Sequence, residues 1–215
     1  ANLVPVQILD GSGQGKGSYI LSALDWVAEQ DVGPGGRKIV SMSVGGPRSA
    51  VIDAAVREIV SSGIVVVAAA GNDGKDADGK FIFIIMRVWA IRLTRVLFTG
   101  TSPAAEPAAI TVGSTGCDPD STQSSCGNSD EMSGFSNHGA AVDVYAPGAG
   151  IRSAWMSGDG DFRRSSGTSM AAPLVTGCIA LYLEKYPDAT PEDCQNAVQV
   201  SGTRMVGTAG KGGSA

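Results

Sequence analysis

A chain of 215 residues, 43% hydrophobic and 17% charged, carries enough apolar material for one large domain with a buried core, and its 30 glycines point to tight turns rather than disorder. Its net charge of -5 comes without a basic stripe in either half, which excludes the phosphate-binding surface that nucleic-acid proteins need. Four cysteines without a CxxC pair, beside a single histidine, give no zinc pattern.

The opening "ANLVPVQILD" has no basic stretch, apolar run or cleavage site of a targeting signal. Residues 2–9 read as a buried strand, as do 38–44, 63–70, 108–113 and 140–146, because each is apolar almost without interruption and rich in β-branched residues. Ile20, Leu21, Leu24 and Val27 form one helical stripe, and Ile52, Ala55, Val56, Ile59 and Val60 another. The order β-α-β-α-β predicts a parallel sheet with right-handed crossovers. Residues 169–185 are apolar on nearly every side, which predicts a helix buried all round. A last helix is expected to open at Thr190 as N-cap, with Pro191 first and Glu192 and Asp193 complementing its dipole. The tail 206–215 is expected to be flexible.

Two stretches stand apart. Cys117 and Cys126 share a polar loop at a spacing compatible with either a local disulfide or free thiols. From Lys80 to Gly100 the text turns abruptly basic, aromatic and apolar in the middle of a Gly/Asp loop. Arg87, Arg92 and Arg95 exclude a membrane span there, since each central arginine costs about 2.5 to 3.5 kcal/mol.

Three motifs, "SMSVGG" (41–46), "AAAGND" (68–73) and "GTSMAAP" (167–173), fall at strand ends or a helix start, where α/β proteins place their sites. Singly, they read as a turn, a strand exit and a helix cap. Together with "VQILDGSGQG" (6–15), "SPAAEPAAITVG" (102–113) and "GFSNHGAAVDVYAPG" (134–148), and in this order, they resemble the subtilisin-like serine proteases, nearest the proteinase K-like branch. The resemblance covers nearly the whole chain outside 80–100. It implies an α/β fold of three layers with a mainly parallel sheet, truncated at its N-terminus.

It also implies roles. Ser169, at the start of a helix, would be the nucleophile, and Asn72 would offer its side-chain NH2 to the oxyanion. Ala69, Ala70 and Gly71 would line the primary specificity pocket. Ser43, Val44, Gly45 and Gly46 would hold an extended substrate through main-chain bonds, which gives broad specificity. Pro107, Ala109 and Asp143 would place backbone and carboxylate oxygens on a structural calcium ion, unless Asp143 merely bonds a loop backbone. Polypeptide substrates, a pro-segment or inhibitor, secretion, and a monomeric full-length protein follow from the same resemblance, with neither nucleic acid nor membrane as partner.

Half of the expected machinery is missing. Serine activation needs a general base and an orienting carboxylate. The family carries them in "D-[ST]-G" and "H-G-T" stretches, and neither occurs here. His138 stands in "SNHG", outside that context, and is expected to be a loop histidine; Asp10 matches a turn aspartate. The family's strand bearing the absent aspartate lies between those matched by 2–9 and 38–44, so the chain is expected to be unstable on its own. The expectation is therefore an endopeptidase fragment, inactive alone, with a non-catalytic peptide-binding module as the alternative. An esterase of the α/β-hydrolase kind is disfavoured, because "GTSMA" lacks the G-x-S-x-G elbow and no histidine follows Ser169.

Smaller departures follow from the same resemblance. Ile110 stands where the family has a cysteine, so Cys194 lacks that partner, and a pairing with Cys178 is an alternative that nothing in the sequence shows; Leu174 replaces a common histidine. Excising 80–100 restores the family's loop length. Those 21 residues, with codons such as GGT-AAG at Gly79-Lys80 and TTT-ACA-GGN at Phe98 to Gly100, fit a short retained intron; a genuine insertion is the alternative.

Overall fold

A computed structural model describes residues 1–78, 100–116, 130–155 and 157–202, together with the backbone of 82–88 and 91–97. The Cys117–Cys126 loop and the tail 206–215 lie outside the described residues.

Four parallel strands build the central sheet: β1 (Ile39–Met42), β3 (Val65–Ala69), β7 (Ile110–Thr115) and β8 (Val144–Pro147), side by side in that order. The sequence stretch "GIVVVAAA" becomes β3, wholly buried because both of its faces are covered. Val65, Val67 and Ala69 face a cluster built with α3 (Thr168–Lys185) and Cys194 of α4 (Pro191–Ser201). Val66 and Ala68 face the opposite cluster, with Leu24 of α1 (Gly17–Glu29) and Val56 and Ile59 of α2 (Ala50–Ser61). Helices on both faces of a parallel sheet make the expected three layers. A two-residue ladder, β2 (Gly46–Pro47) against β6 (Thr101–Ser102), and a hairpin, β9 (Ile151–Ala154) with β10 (Phe162–Ser165), complete the frame around the sheet's carboxyl end.

Helix α4 begins where its cap predicts. Thr190 Oγ1 accepts from Asp193 N–H at 3.1 Å, and Asp193 Oδ2 accepts from Thr190 N–H at 2.8 Å. The Thr190 hydroxyl and N–H hold the Asp193 carboxyl below its usual range, so its contribution is present at neutral pH and fades as pH falls through that depressed pKa. Thr190→Ala is expected to cost about 1 kcal/mol, read as a roughly fivefold faster hydrogen exchange of the α4 amides.

Three expectations are corrected. Residues 2–9 form no strand: Leu3 is 94% and Val4 65% exposed. A strand needs a neighbour to take its N–H and C=O groups, and β1, at the edge of the sheet, pairs with β3 alone among the described strands. Helix α3 is buried on one face only; Ala171, Ala172, Val175, Ile179 and Leu183 meet the core, whereas Leu174 and Leu181 are exposed, because no described element covers that side. Cys178 lies on the bare side and Cys194 inside the core, so both are free thiols rather than a pair. The β1 edge, the amino-terminal stretch and the bare side of α3 are thus the surfaces left uncovered among the described residues.

The 80–100 segment contains β4 (Ile82–Val88) and β5 (Ile91–Leu97), which pair with each other in an antiparallel hairpin and with no other described strand. Its ends meet. Thr101 N–H donates to Ala77 O at 3.3 Å, and a Cβ on Gly100 would stand 2.6 Å from Asp78 O. The hairpin is therefore an appendage on a loop that is already closed at its base.

Candidate active site

The carboxyl ends of β1 and β3 and the amino end of α3 converge on a cleft of about 570 Å³. Ser43, Val44, Gly45 and Gly46 line one wall, Ala69, Ala70, Gly71 and Asn72 another, and Thr168 and Ser169 close it. All nine residues assigned above to catalysis and substrate binding thus share one cavity. Asp73, Lys75, Asp76 and Asn137 also line it, and the sequence reading assigned none of them a part.

Ser169 is the second residue of α3, in the first turn, where backbone N–H groups have no intrahelical acceptor and the helix end is partly positive. Its hydroxyl donates to Ser43 O at 3.4 Å, and the Ser43 hydroxyl donates to Ser169 O at 2.9 Å. Those two bonds clamp the helix start to the strand exit after β1.

The side chain of Asn72 has a fixed orientation. Thr168 N–H and the Thr168 hydroxyl both donate to Asn72 Oδ1, at 2.8 and 3.0 Å, while Thr168 Oγ1 accepts from Gly71 N–H at 3.1 Å. A backbone N–H can only donate, so the atom facing it is the oxygen, and Nδ2 must point the other way. Both amide atoms lie beside the point where a Cβ of Gly167 would sit, Nδ2 at 3.3 Å and Oδ1 at 3.6 Å, two residues before the serine, and Asn72 itself is exposed and lines the cleft. A hydroxyl oxygen, a free amide donor and a helix amino end then face one space, the elements needed to attack a carbonyl and to hold the resulting oxyanion.

No imidazole adjoins the serine among the described residues. His138 pairs through its backbone with the loop behind the cleft: its N–H donates to Lys75 O at 2.9 Å and its carbonyl accepts from Ala77 N–H at 2.8 Å. It is not among the cleft-lining residues. Asp10 caps a turn, its Oδ1 accepting from Ser12 and Gln14 N–H groups.

The residues assigned to calcium sit apart from the cleft. Gln195 Nε2 lies 2.9 Å from Asp143 Oδ1 and 3.2 Å from Pro107 O, so these two oxygens converge on one point. Gln199 Nε2 lies 2.6 Å from the same Oδ1, and Thr111 N–H donates to Oδ2 at 2.7 Å. Burial pushes the Asp143 carboxyl up, against the pull of these donors. Ala109 is buried nearby, but no described contact joins it to Asp143. The converging oxygens fit a hard cation, provided the Gln195 amide turns its own oxygen inward or withdraws. Among the described residues no cluster of three or more His, Cys, Asp or Glu side chains could hold a metal ion, and no helix is long and apolar enough to cross a membrane.

A serine hydroxyl at a helix start, beside an asparagine just past the end of a parallel strand, is the arrangement of the subtilisin-like class. The sequence model described as the subtilase family matches residues 1–212, and the chain belongs to that family. It is 38% identical over 196 residues to an extracellular serine proteinase of Thermus sp. (strain Rt41A), and 35% identical over 183 residues to a cuticle-degrading serine protease of Arthrobotrys oligospora. These alignments take in 91% and 85% of this chain but only 39% and 36% of the relatives. The crystal structure of a cold-adapted subtilisin-like serine proteinase matches with a TM-score of 0.70 at 36% identity, over 90% of this chain and 57% of that one. The chain therefore spans about two fifths of the length of the curated relatives it matches.

Proposed function

We propose that residues 1–215 supply the nucleophile, oxyanion site and substrate edge of a secreted serine endopeptidase of broad specificity, whose general base and orienting carboxylate lie outside this sequence. The observation that carries the reading is the Thr168 clamp on Asn72 Oδ1, which leaves Nδ2 and Ser169 open to one cleft. An extended peptide would lie along Ser43 to Gly46 by main-chain bonds. Ser169 Oγ would add to the scissile carbonyl carbon and pass its proton to the base, while the carbonyl oxygen, now negative, would take hydrogen bonds from Asn72 Nδ2 and the Ser169 N–H. The amine would leave with that proton, and water would release the acyl group by the reverse sequence. Without the base, the chain alone is inactive in this reading.

The protein translated together with the coding sequence preceding Ala1 is expected to hydrolyse a peptide anilide, and Ser169→Ala to reduce its rate by about 10⁶-fold. A preceding sequence that brings in carboxylate and histidine yet gives an inert protein refutes the proposal. A second reading, a peptide-binding module without catalysis, draws support from the serine hydroxyl's bond to a carbonyl rather than to a base. A preceding sequence without those motifs, together with peptide binding, selects it.

Calcium at the Asp143 and Pro107 oxygens is part of the same proposal. At about 100-fold excess over its Kd the ion should add roughly 2.7 kcal/mol of stability. Hydrogen exchange around Thr111 should slow accordingly, and Asp143→Asn should abolish the response. The 80–100 hairpin, in turn, is proposed to be intron-derived. Its closed base supports removal without damage, and mature transcripts that retain all 63 nucleotides would refute the idea.

A further inference from the structure

We infer that Asn137 is a positioning residue for Asn72, holding the loop that carries the oxyanion donor from behind. The inference rests on the site reading above and names a residue that reading does not use.

Asn137 is 1% exposed, and a primary amide so deeply buried must satisfy its polar atoms inside the protein. It satisfies them on a single loop. Its Nδ2 donates to Ala70 O at 2.8 Å, its backbone N–H donates to Gly71 O at 2.9 Å, and its Oδ1 accepts from both Asp73 N–H and Lys75 N–H, at 3.1 and 3.0 Å. These contacts bracket Asn72 on both sides, two before it in the chain and two after.

The loop has little else to hold its shape. Residues 70–75 belong to no strand or helix, and Gly71 and Gly74 both take positive φ, at 104° and 62°. Its other bonds are few: Ala70 N–H to Val112 O and His138 N–H to Lys75 O at the two ends, Gly74 N–H to Phe135 O between them, and Thr168 in front. Thr168 fixes which way the Asn72 amide faces, whereas Asn137 fixes where its Cα stands. A displacement of about 1 Å at such a donor is enough to cost around a hundredfold in transition-state stabilisation.

A matched pair of ligands on the 215-residue chain separates positioning from general support. One is a peptide amide, which reads only the substrate edge. The other is the same peptide ending in a boronic acid: boron accepts a lone pair from Ser169 Oγ, the hydroxyl proton leaves to solvent, and the tetrahedral anion reaches the oxyanion donors. Asn137→Ala should lower the boronate-to-amide affinity ratio about tenfold or more, with amide affinity held within about twofold. The same substitution should speed hydrogen exchange at Asp73 and Lys75 while leaving β3 and β7 protected. Asn137→Asp keeps both accepting bonds but sets an oxygen against Ala70 O in place of the Nδ2 donor, so it should lower the ratio and speed exchange in the same direction, by about threefold or more, and serves if the alanine variant fails to fold. Unchanged ratio and exchange in the Asn137 variants overturn the inference and leave the site reading intact. A wild-type chain that binds boronate no tighter than amide overturns the site reading, and unchanged exchange at Asp73 and Lys75 then overturns this inference as well.

Discussion

Asn72→Ala should leave the chain's affinity for a peptide amide unchanged within about twofold and weaken binding of the matching boronate by about 100- to 1000-fold. The asymmetry follows from where the amide points. Its oxygen is already spent on the two Thr168 donors, so the group contributes nothing to a neutral peptide except through Nδ2, and Nδ2 gains most when the facing oxygen carries full negative charge. Thr168→Val tests the same geometry from the other side. It keeps the backbone N–H bond to Asn72 Oδ1 but removes the hydroxyl that both donates to Asn72 and accepts from Gly71 N–H. A loss of about tenfold in boronate affinity is expected, smaller than for Asn72→Ala because one anchor survives. Equal weakening of both ligands by Asn72→Ala would mean that the asparagine supports the cleft rather than serving an oxyanion.

What the residues alone disclosed, and what they withheld, divides along a physical line. Periodicity located β3 and both amphipathic helices because their burial is decided by nearest neighbours, whose apolar atoms are also in the sequence. Thr190 announced α4 through a purely local hydrogen-bond exchange. Residues 2–9 are just as apolar, yet lie exposed, since a strand's backbone bonds depend on a neighbour that the pattern of its own side chains cannot supply. The all-round apolarity of α3 misled for the same reason: Leu174 and Leu181 record what a helix is suited to face, not whether anything faces it. Within the cleft, small residues and a serine in motif order were legible through resemblance. Asn137 was quoted within "GFSNHG" but overlooked, because a buried amide earns its place only through contacts 62 to 67 positions away along the chain.

Gly71→Ala, a one-carbon change, is expected to cost about 3 to 5 kcal/mol. Two independent causes add. Gly71 has φ of 104°, a conformation that an L-residue adopts only at a cost of about 1 to 2 kcal/mol. An added Cβ would also stand 2.3 Å from Asn137 Nδ2, well inside contact distance, and Asn137 cannot retreat without abandoning Ala70 O, Asp73 N–H and Lys75 N–H. Each buried group left unpaired costs about 1 to 3 kcal/mol. A double-mutant cycle separates the causes. In an Asn137→Ala background the clash is gone, so adding Gly71→Ala should cost only the backbone part, and the two substitutions should couple by about 2 kcal/mol or more. Denaturant titration of the four proteins measures that coupling. Simple additivity would show that Asn137 does not press on the loop at Gly71, and would remove the steric link between the asparagine behind the loop and the amide in front of it.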